Sequence, residues 1–370
     1  MRFLNKKNSK NLILVISDLH LSAGKIVDGK KNNLEDFNYD KELVEFISYY
    51  SSGEFSKKSV EIIINGDFID FLAVPFVDYF DDEFWSDQAS LEKLKMIISA
   101  HQEVFLALKK FTQEKGKKLT YVIGNHDAEL ALKLVKEYFI KFFDGNIELI
   151  DLDINGYRPI PNVLIAHGHQ EETANSFDEE SIQVDENGRE YLIPPWGSYF
   201  VTRVINRFKS EHAYVNAVRP IKKFIINGLL YETFQTIRFL LATVYYYFIV
   251  RFIFIIKEKD YFRRFLFLLK NEFNVFSESD EKKYSTLLNN DDIKVYIQGH
   301  THHPEISYFD EGKIFINTGT WTNMYQLDYG RQKENEMLTY AKIEYSDSHE
   351  PESNLLVWKG INPNPFVCFS

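Results

Sequence analysis

Five short runs of aliphatic and β-branched residues, at 12–16, 60–64, 119–123, 163–166 and 293–297, each stop abruptly at Gly, Asp, Asn or His. Apolar runs of this length, without polar alternation, predict strands buried on both faces, the kind found inside a helix-covered α/β sheet. The stops read Ser17-Asp18-Leu19-His20, Asn65-Gly66-Asp67, Gly124-Asn125-His126-Asp127, His167-Gly168-His169 and Gln298-Gly299-His300-Thr301-His302. Polar side chains at the carboxyl ends of such strands are where α/β sheets place their sites. One such turn is unremarkable; five in one chain predict a fold that gathers those ends in one place.

The chemistry these side chains suit is metal binding. Imidazole nitrogen, carboxylate oxygen and carboxamide oxygen fit manganese, iron, zinc or cobalt better than cuprous copper, and no thiolate is offered. Two Asp, one Asn and several His suffice for two adjacent ions that share a carboxylate. Ions roughly 3.5–4 Å apart clamp the attacking and leaving oxygens of a displacement at phosphorus.

The ordered set D-x-H, G-D, G-N-H-D, H-G-H and G-H-T-H, spread over about residues 12–320, resembles the calcineurin-like metallophosphoesterases. The resemblance implies an α/β fold, a four-layer α-β-β-α sandwich, and two divalent metal ions, manganese first among the candidates. It matches Asp18, His20, Asp67 and His302 to the ligands of one ion. Asp67, Asn125, His167 and His300 match those of the other, with Asp67 bridging. His126 matches the residue that touches the phosphoryl oxygen or the leaving group, and Asp127 its orienting partner. Asn125, His126 and Asp127 are thus the catalytic set. The implied reaction is attack on phosphorus by a metal-bridging hydroxide, with His126 protonating the leaving oxygen.

Charge and composition bound the rest. A chain of 370 residues has room for about two domains, or one elaborated domain. A formal charge of −11 argues against general nucleic-acid affinity and an extended nucleic-acid track. The lone cysteine, Cys368, rules out an internal disulfide, which suits a reducing compartment. The run 12–16 is too short for a signal-peptide core, so the expected location is the cytoplasm.

Between the sites, apolar residues Leu43, Phe46, Ile47 and Tyr50 predict a helix over 40–50 with Asp40 as N-cap. It bridges the first two strands. A loop is predicted over 78–87, a long helix over 88–115 and another over 129–143. Late strands are predicted at 313–318 and 337–345. His101 and His303 read as surface residues, and Cys368 as packed. Asp70 reads either as a support for a ligand or as the cap of the following turn.

Residues 196–270 differ from everything else. They hold 13 Lys and Arg against 4 Asp and Glu, a net +9 that leaves −20 for the remainder. The stretch 239–256 carries a single charge, Arg251, over 18 residues. That length invites a membrane span, but one span would put His300 and His302 across the bilayer from Asp18 and Asp67. The expected organisation is a core in two parts, 1–195 and 277–370, with a basic, aromatic helical cap over 196–276 inserted between the fourth and fifth motifs. Arg219, Lys222 and Lys223 are candidates for an anionic head group, and His169 for a substrate contact. The cap and the motif style resemble the branch containing UDP-2,3-diacylglucosamine hydrolases. The chain departs from it in carrying His126 in place of Arg and His169 in place of Asp.

The expected function is hydrolysis of an amphiphilic, lipid-linked phosphoester or pyrophosphate. The protein would be peripheral on the inner face of a membrane, meeting its anionic surface through 196–270. The alternative is a soluble protein or nucleotide phosphatase or phosphodiesterase that uses the insertion as an oligomer interface.

Overall fold

The computed structural model describes residues 11–75, 85–152, 156–172, 174–177, 181–209, 218–219, 233–256, 280–323, 325–326, 337–346, 349–361 and 366–368. The predicted strands appear where the apolar runs stand. In chain order they are β1 (Asn11–Ile16), β2 (Val60–Asn65), β3 (Lys117–Val122), β4 (Glu148–Ile150), β5 (Val163–Ile165) and β6 (Val295–Gln298). They continue as β7 (Glu305–Tyr308), β8 (Ile314–Asn317), β9 (Leu338–Ser346), β10 (His349–Trp358) and β11 (Phe366–Cys368).

They form two main sheets. The first has seven strands in the order β11-β10-β9-β1-β2-β3-β4. Strands β1 to β4 are parallel there, with β9 antiparallel to β1. The second has four strands, β7-β8-β6-β5, with β6 parallel to both of its neighbours. Ile13, Val15 and Ile63 of the first sheet pack with Ile165, Ile297 and Ile316 of the second in one buried cluster. The residues alternating with these point the other way. Leu14, Ile16 and Ile62 join the helices α1 (Asp40–Ser51), α3 (Gln102–Gln113) and α4 (Lys133–Phe142) in a larger cluster. Across the second sheet, Leu164, Tyr296 and Phe315 pack on Leu287 of a helix over Asp280–Leu288. The result is the expected α-β-β-α layering. Both sheets are covered on both faces, so their central strands run nearly continuously apolar, as in Leu12–Ile16 and Ile62–Ile64.

Four expectations are corrected here. The helix predicted over 88–115 is two helices, α2 (Asp87–Ala100) and α3, broken at His101 (φ −113°, ψ 37°). His101 is buried rather than exposed, with its Nδ1 2.6 Å from Asp40 Oδ1 and its Nε2 3.3 Å from Glu35 Oε2. Asp40 consequently opens α1 as its first residue without capping it; its carboxylate is committed to His101. Glu35 also accepts from the backbone of Ser22, Gly24 and Phe37, which ties down the loop that follows β1. Cys368 is exposed. The predicted loop at 78–87 lies largely outside the described residues.

Within 196–209 an α-helical turn, Trp196–Phe200, runs through a π-helix, Val201–Ile205, into a second α-helical turn, Asn206–Lys209. A longer helix, Thr233–Ile256, packs against it through Phe239, whose ring lies 5.0 Å from Phe208 and 6.4 Å from Phe200. Its other side leaves Phe234, Leu241 and Tyr245 exposed, at 77%, 65% and 58%. No described helix is long and apolar enough to cross a membrane.

Candidate metal centre

Each candidate residue is set by a sharp turn at a strand end. Asp18, His20, Asp67, His300 and His302 all lie in the left-handed region, at φ of 55°, 56°, 51°, 66° and 60°. Side chains other than Gly disfavour that conformation, and it is held here by hydrogen bonds between neighbouring loops. Asp18 N donates to Gly66 O at 3.1 Å and His20 N to Asp67 O at 2.9 Å. His300 N donates to both oxygens of Asp18 at 3.0 Å. The motif glycines make room. A Cβ at Gly124 would fall on the carboxylate of Asp67, and one at Gly299 on that of Asp18.

The side chains converge in two groups, linked by a third in which His20 and Asp67 meet His126. Asp18, His20 and His302 offer ligand atoms within 4.8 Å of one another, and so do Asp67, His167 and His300. Asp18, Asp67 and His167 are essentially without solvent contact. His20 Nε2 faces His302 Nε2 at 3.0 Å, and His302 Nε2 lies 3.4 Å from Asp18 Oδ1. His167 Nε2 is 3.2 Å from both Asp67 Oδ2 and Asn125 Oδ1. Facing imidazole nitrogens beside buried carboxylates and a carboxamide oxygen form a donor set for a divalent cation.

The far sides of three of the imidazoles are backed. His20 Nδ1 meets Asp70 Oδ2 at 3.1 Å, His167 Nδ1 meets Asn65 O at 2.8 Å and His300 Nε2 meets Glu172 Oε2 at 2.9 Å. Such partners fix the tautomer and aim the other nitrogen. The electrostatics agree with a cation site. Burial opposes charge on Asp67, yet His167 and His126 hold its carboxyl well below the usual range. Burial likewise opposes protonation of His167, but Asp67 and Asp18 push it up to about 10. The proton so held is one a bound cation would displace.

Asp127 is corrected. It does not touch the ring of His126. Its carboxylate accepts from Tyr121 OH at 2.6 Å and Phe68 N at 3.1 Å, and also holds Gly124 N. It is fully buried, and it shapes the Gly124–Asp127 turn from beneath. The ring partner of His126 is Asp70, whose Oδ1 lies 3.0 Å from His126 Nδ1. Asp70 also caps the following turn, accepting from Ala73 N at 3.1 Å. Against burial, Asp70 and Asp67 raise the pKa of His126 to about 9.

His169 is also corrected. It is fully buried behind His167 and His300, at ring distances of 5.4 and 6.5 Å, and neither ring nitrogen has a hydrogen-bond partner. A side chain so placed cannot touch substrate in the cleft. Arg219 lies in a two-residue strand paired with Tyr325 and Gln326, while Lys222 and Lys223 lie outside the described residues. Glu172 carried no sequence signal. It follows the fourth motif in an ordinary polar stretch, and only the fold brings it onto His300.

The two groups open into a cleft of about 540 Å³. His20, Asn125, His126 and His302 line its floor, and Trp196, Phe200, Val201 and Ile205 line the opposite side.

A family model described as calcineurin-like phosphoesterase matches residues 12–212, over half of the chain. No curated protein matches. Three solved structures are similar over nearly the full length. A conserved uncharacterized protein from Streptococcus pneumoniae is 12% identical, with 97% of each chain covered and a TM-score of 0.30. A dimetal phosphatase from Danio rerio is 10% identical, with 96% of this chain and 98% of that one covered and a TM-score of 0.36. The calcineurin-like phosphoesterase YfkN from Bacillus subtilis is 11% identical, with 94% and 90% covered and a TM-score of 0.33.

Proposed function

The chain belongs to the calcineurin-like phosphoesterase family, and from that premise we propose that it hydrolyses phosphoesters with two divalent ions, manganese first among them. Asp18, His20, Asp67 and His302 hold one ion; Asp67, Asn125, His167 and His300 hold the other. The observation that carries this reading is the 3.0 Å approach of His20 Nε2 to His302 Nε2, one carboxylate away from the Asp67–His167–Asn125 group. When bound, the ions would acidify a water and neutralise charge on the phosphoryl oxygens.

The protein's own groups do the rest. Asn125 presents its carboxamide at the phosphoryl position and helps fix substrate orientation. His126, with Nδ1 on Asp70, keeps Nε2 for the leaving oxygen and delivers a proton there as the ester bond breaks. The Asp70 carboxylate beside the ring favours its protonated form. Asp70 holds His126 and His20 through its two oxygens, so the proton donor and a metal ligand share one anchor. A competing reading has a specific basis: His126 lies within 4.8 Å of His20 and Asp67 and could itself bind metal.

The substrate in this reading is an amphiphilic, lipid-linked phosphoester met at a membrane surface on the cytoplasmic side. The support is the +9 charge of 196–270 together with the exposed Phe234, Leu241 and Tyr245 on the helix Thr233–Ile256. The rival is an oligomer interface on that face. Metal analysis with a phosphate-release screen over phospholipids, nucleotide-lipids, mononucleotides and phosphopeptides tests the chemistry. An inactive, metal-free chain would sink it. Co-sedimentation with anionic and neutral vesicles at two salt concentrations tests the surface. Retention by anionic vesicles, weakened by salt and by charge reversal at Arg219, Lys222 and Lys223, is expected. A stable dimer that ignores vesicles would favour the rival.

A further inference from the structure

The stretch 196–209 forms a bar across the mouth of the metal cleft, tied down at both ends. At one end Gly197 N donates to Ala174 O at 2.8 Å, close to Glu172, which backs His300. At the other, Asn206 Nδ2 donates to Leu72 O at 2.7 Å, and Lys209 Nζ donates to Leu34 O at 3.3 Å and to Asp36 Oδ2 at 2.7 Å. Leu72 belongs to the short turn Phe71–Ala73, which is bound to the proton donor in two ways. Phe71 N donates to His126 O at 3.1 Å, and the cap of that turn is Asp70, the ring partner of His126. The second end of the bar is therefore linked through the Phe71–Ala73 turn to His126.

The face that the bar turns to the cleft is apolar. Trp196, Phe200, Val201 and Ile205 line it, with Trp196 and Phe200 stacked at 5.3 Å and 16°. The π-helical turn at Val201–Ile205 matters for this: a wider turn alters which side chains share a face, and such turns recur at functional sites. Among the described residues lining the cleft, Lys209 is the one lysine or arginine, and it is already engaged by Asp36 and Leu34. Asp36 is paired with Lys209 and Glu172 with His300, and Asn175, Asn206, Thr301, Thr322 and Asn323 add neutral polar groups to the lining. Among the described lining residues, a second phosphate beyond the one on the metal ligands would find no unengaged lysine or arginine to pair it.

We infer that the bar determines specificity, and that it selects phosphate esters in which an apolar alkyl or aryl alcohol is attached directly to the reacting phosphate, with no second phosphate between. This rests on the phosphoesterase reading and narrows its substrate class from lipid-linked phosphoesters and pyrophosphates to the directly attached ester. Phe200, Val201 and Ile205 receive the first carbons of the leaving alcohol, and His126 protonates its oxygen. The ester P–O bond breaks, water supplies the new oxygen on phosphorus, and the alcohol leaves with the proton of His126.

Binding and turnover are measured separately on the metal-loaded full chain. Non-hydrolysable n-alkylphosphonates from ethyl to octyl are titrated calorimetrically, beside an alkyl diphosphate analogue of equal chain length. Full burial of a methylene is worth roughly fourfold in affinity. Contact on one side predicts about twofold tighter binding per methylene over the first carbons, and no gain from the second phosphate. In Phe200→Ala and Ile205→Asn the dependence on chain length should flatten. A wild-type affinity that does not change with chain length, or a diphosphate bound about tenfold tighter than the phosphonate, overturns the inference. Because the wild-type series decides it, a variant that fails to fold does not blunt the test. Hydrolysis of the corresponding alkyl phosphates, followed by phosphate release, is the independent check on the parent reading. Chain-length-dependent binding without hydrolysis would refute the hydrolase and keep the specificity wall; hydrolysis with flat binding would do the reverse.

Discussion

The strand-end loops and the bar across them are built on opposite plans. In the loops His20, His167 and His300 are each backed by a carboxylate or a backbone carbonyl, and Asp18, Asp67 and Asp70 are buried. The bar touches the same cleft mainly with apolar side chains and is fixed by buried Tyr199, Val204 and Phe208 and by a few hydrogen bonds near its ends. Chemistry is thus held by a dense polar network and selection by a largely apolar helix. The difference teaches that the first should tolerate almost no substitution, while the second can change what is accepted without dismantling the centre.

The comparison breaks most sharply at Asp67. Asp67→Asn should abolish turnover and weaken both ions, by more than the roughly 10–100-fold that a partner behind a ligand is worth. If two ions per chain remain at wild-type affinity, the shared-carboxylate assignment is wrong. Next comes His126→Ala. Loss of a positioned acid costs about 10²–10⁴-fold in turnover, with metal content near that of the wild type. Loss of an ion instead would make His126 a ligand. Asp70→Asn should cost about 10–100-fold, because its two oxygens steady His20 and His126 together. An unchanged rate would show that the ring of His126 needs no anchor.

On the side of the bar the effects shrink. Asn206→Ala removes one hydrogen bond worth about 1 kcal/mol, so kcat/KM should fall by about fivefold. A loss as large as that of Asp70→Asn would mean that the bar is part of the catalytic frame. The smallest effect on catalysis is expected at His101, which steadies the loop carrying Asp36, the partner of Lys209. Burial lowers its pKa, but Asp40 and Glu35 outweigh burial and raise it from 6.5 to about 9. A folded-state pKa above the unfolded one stabilises the fold fully below about pH 6.5. The contribution fades as pH climbs through about 9, and amounts to about 3 kcal/mol. Denaturant melts of wild type and His101→Gln should differ most near pH 6 and converge near pH 10. A gap that is flat with pH would refute the charged-cluster account.

Much of the core was legible in the sequence because its signals are local. An apolar run that ends in Asp18, Asp67 or His167 announces a buried strand and a polar strand end within ten residues. What failed depends on residues far apart. Asp127 stands next to His126 in sequence but points into the core, and Asp70, 56 positions earlier, reaches the ring. The break at His101 is made by Asp40 and Glu35, more than 60 residues away, and no propensity of its own helix reveals it. His169 looked like a polar strand-end residue, yet Gly168, at φ 115°, turns the chain into the short helical turn His169–Glu171 and the ring is buried. The bar at 196–209 has an aromatic composition that the sequence displays plainly, but its facing toward the metals follows from three distant tethers. The net charge and apolar length of 196–270 were readable; Lys222 and Lys223 remain outside the described residues.

The five left-handed residues have a consequence for how such a chain would drift if its chemistry were no longer needed. Each non-glycine residue in that conformation costs on the order of 1 kcal/mol, and His20, His300 and His302 incur it only to aim imidazoles. Exchange of any of them for Gly would relax the backbone, so ancestry without selection for turnover runs downhill in free energy at these positions. A descendant that kept the sandwich but lost the reaction would therefore differ first at its strand-end turns, with the sheets above them unchanged and the melting temperature raised.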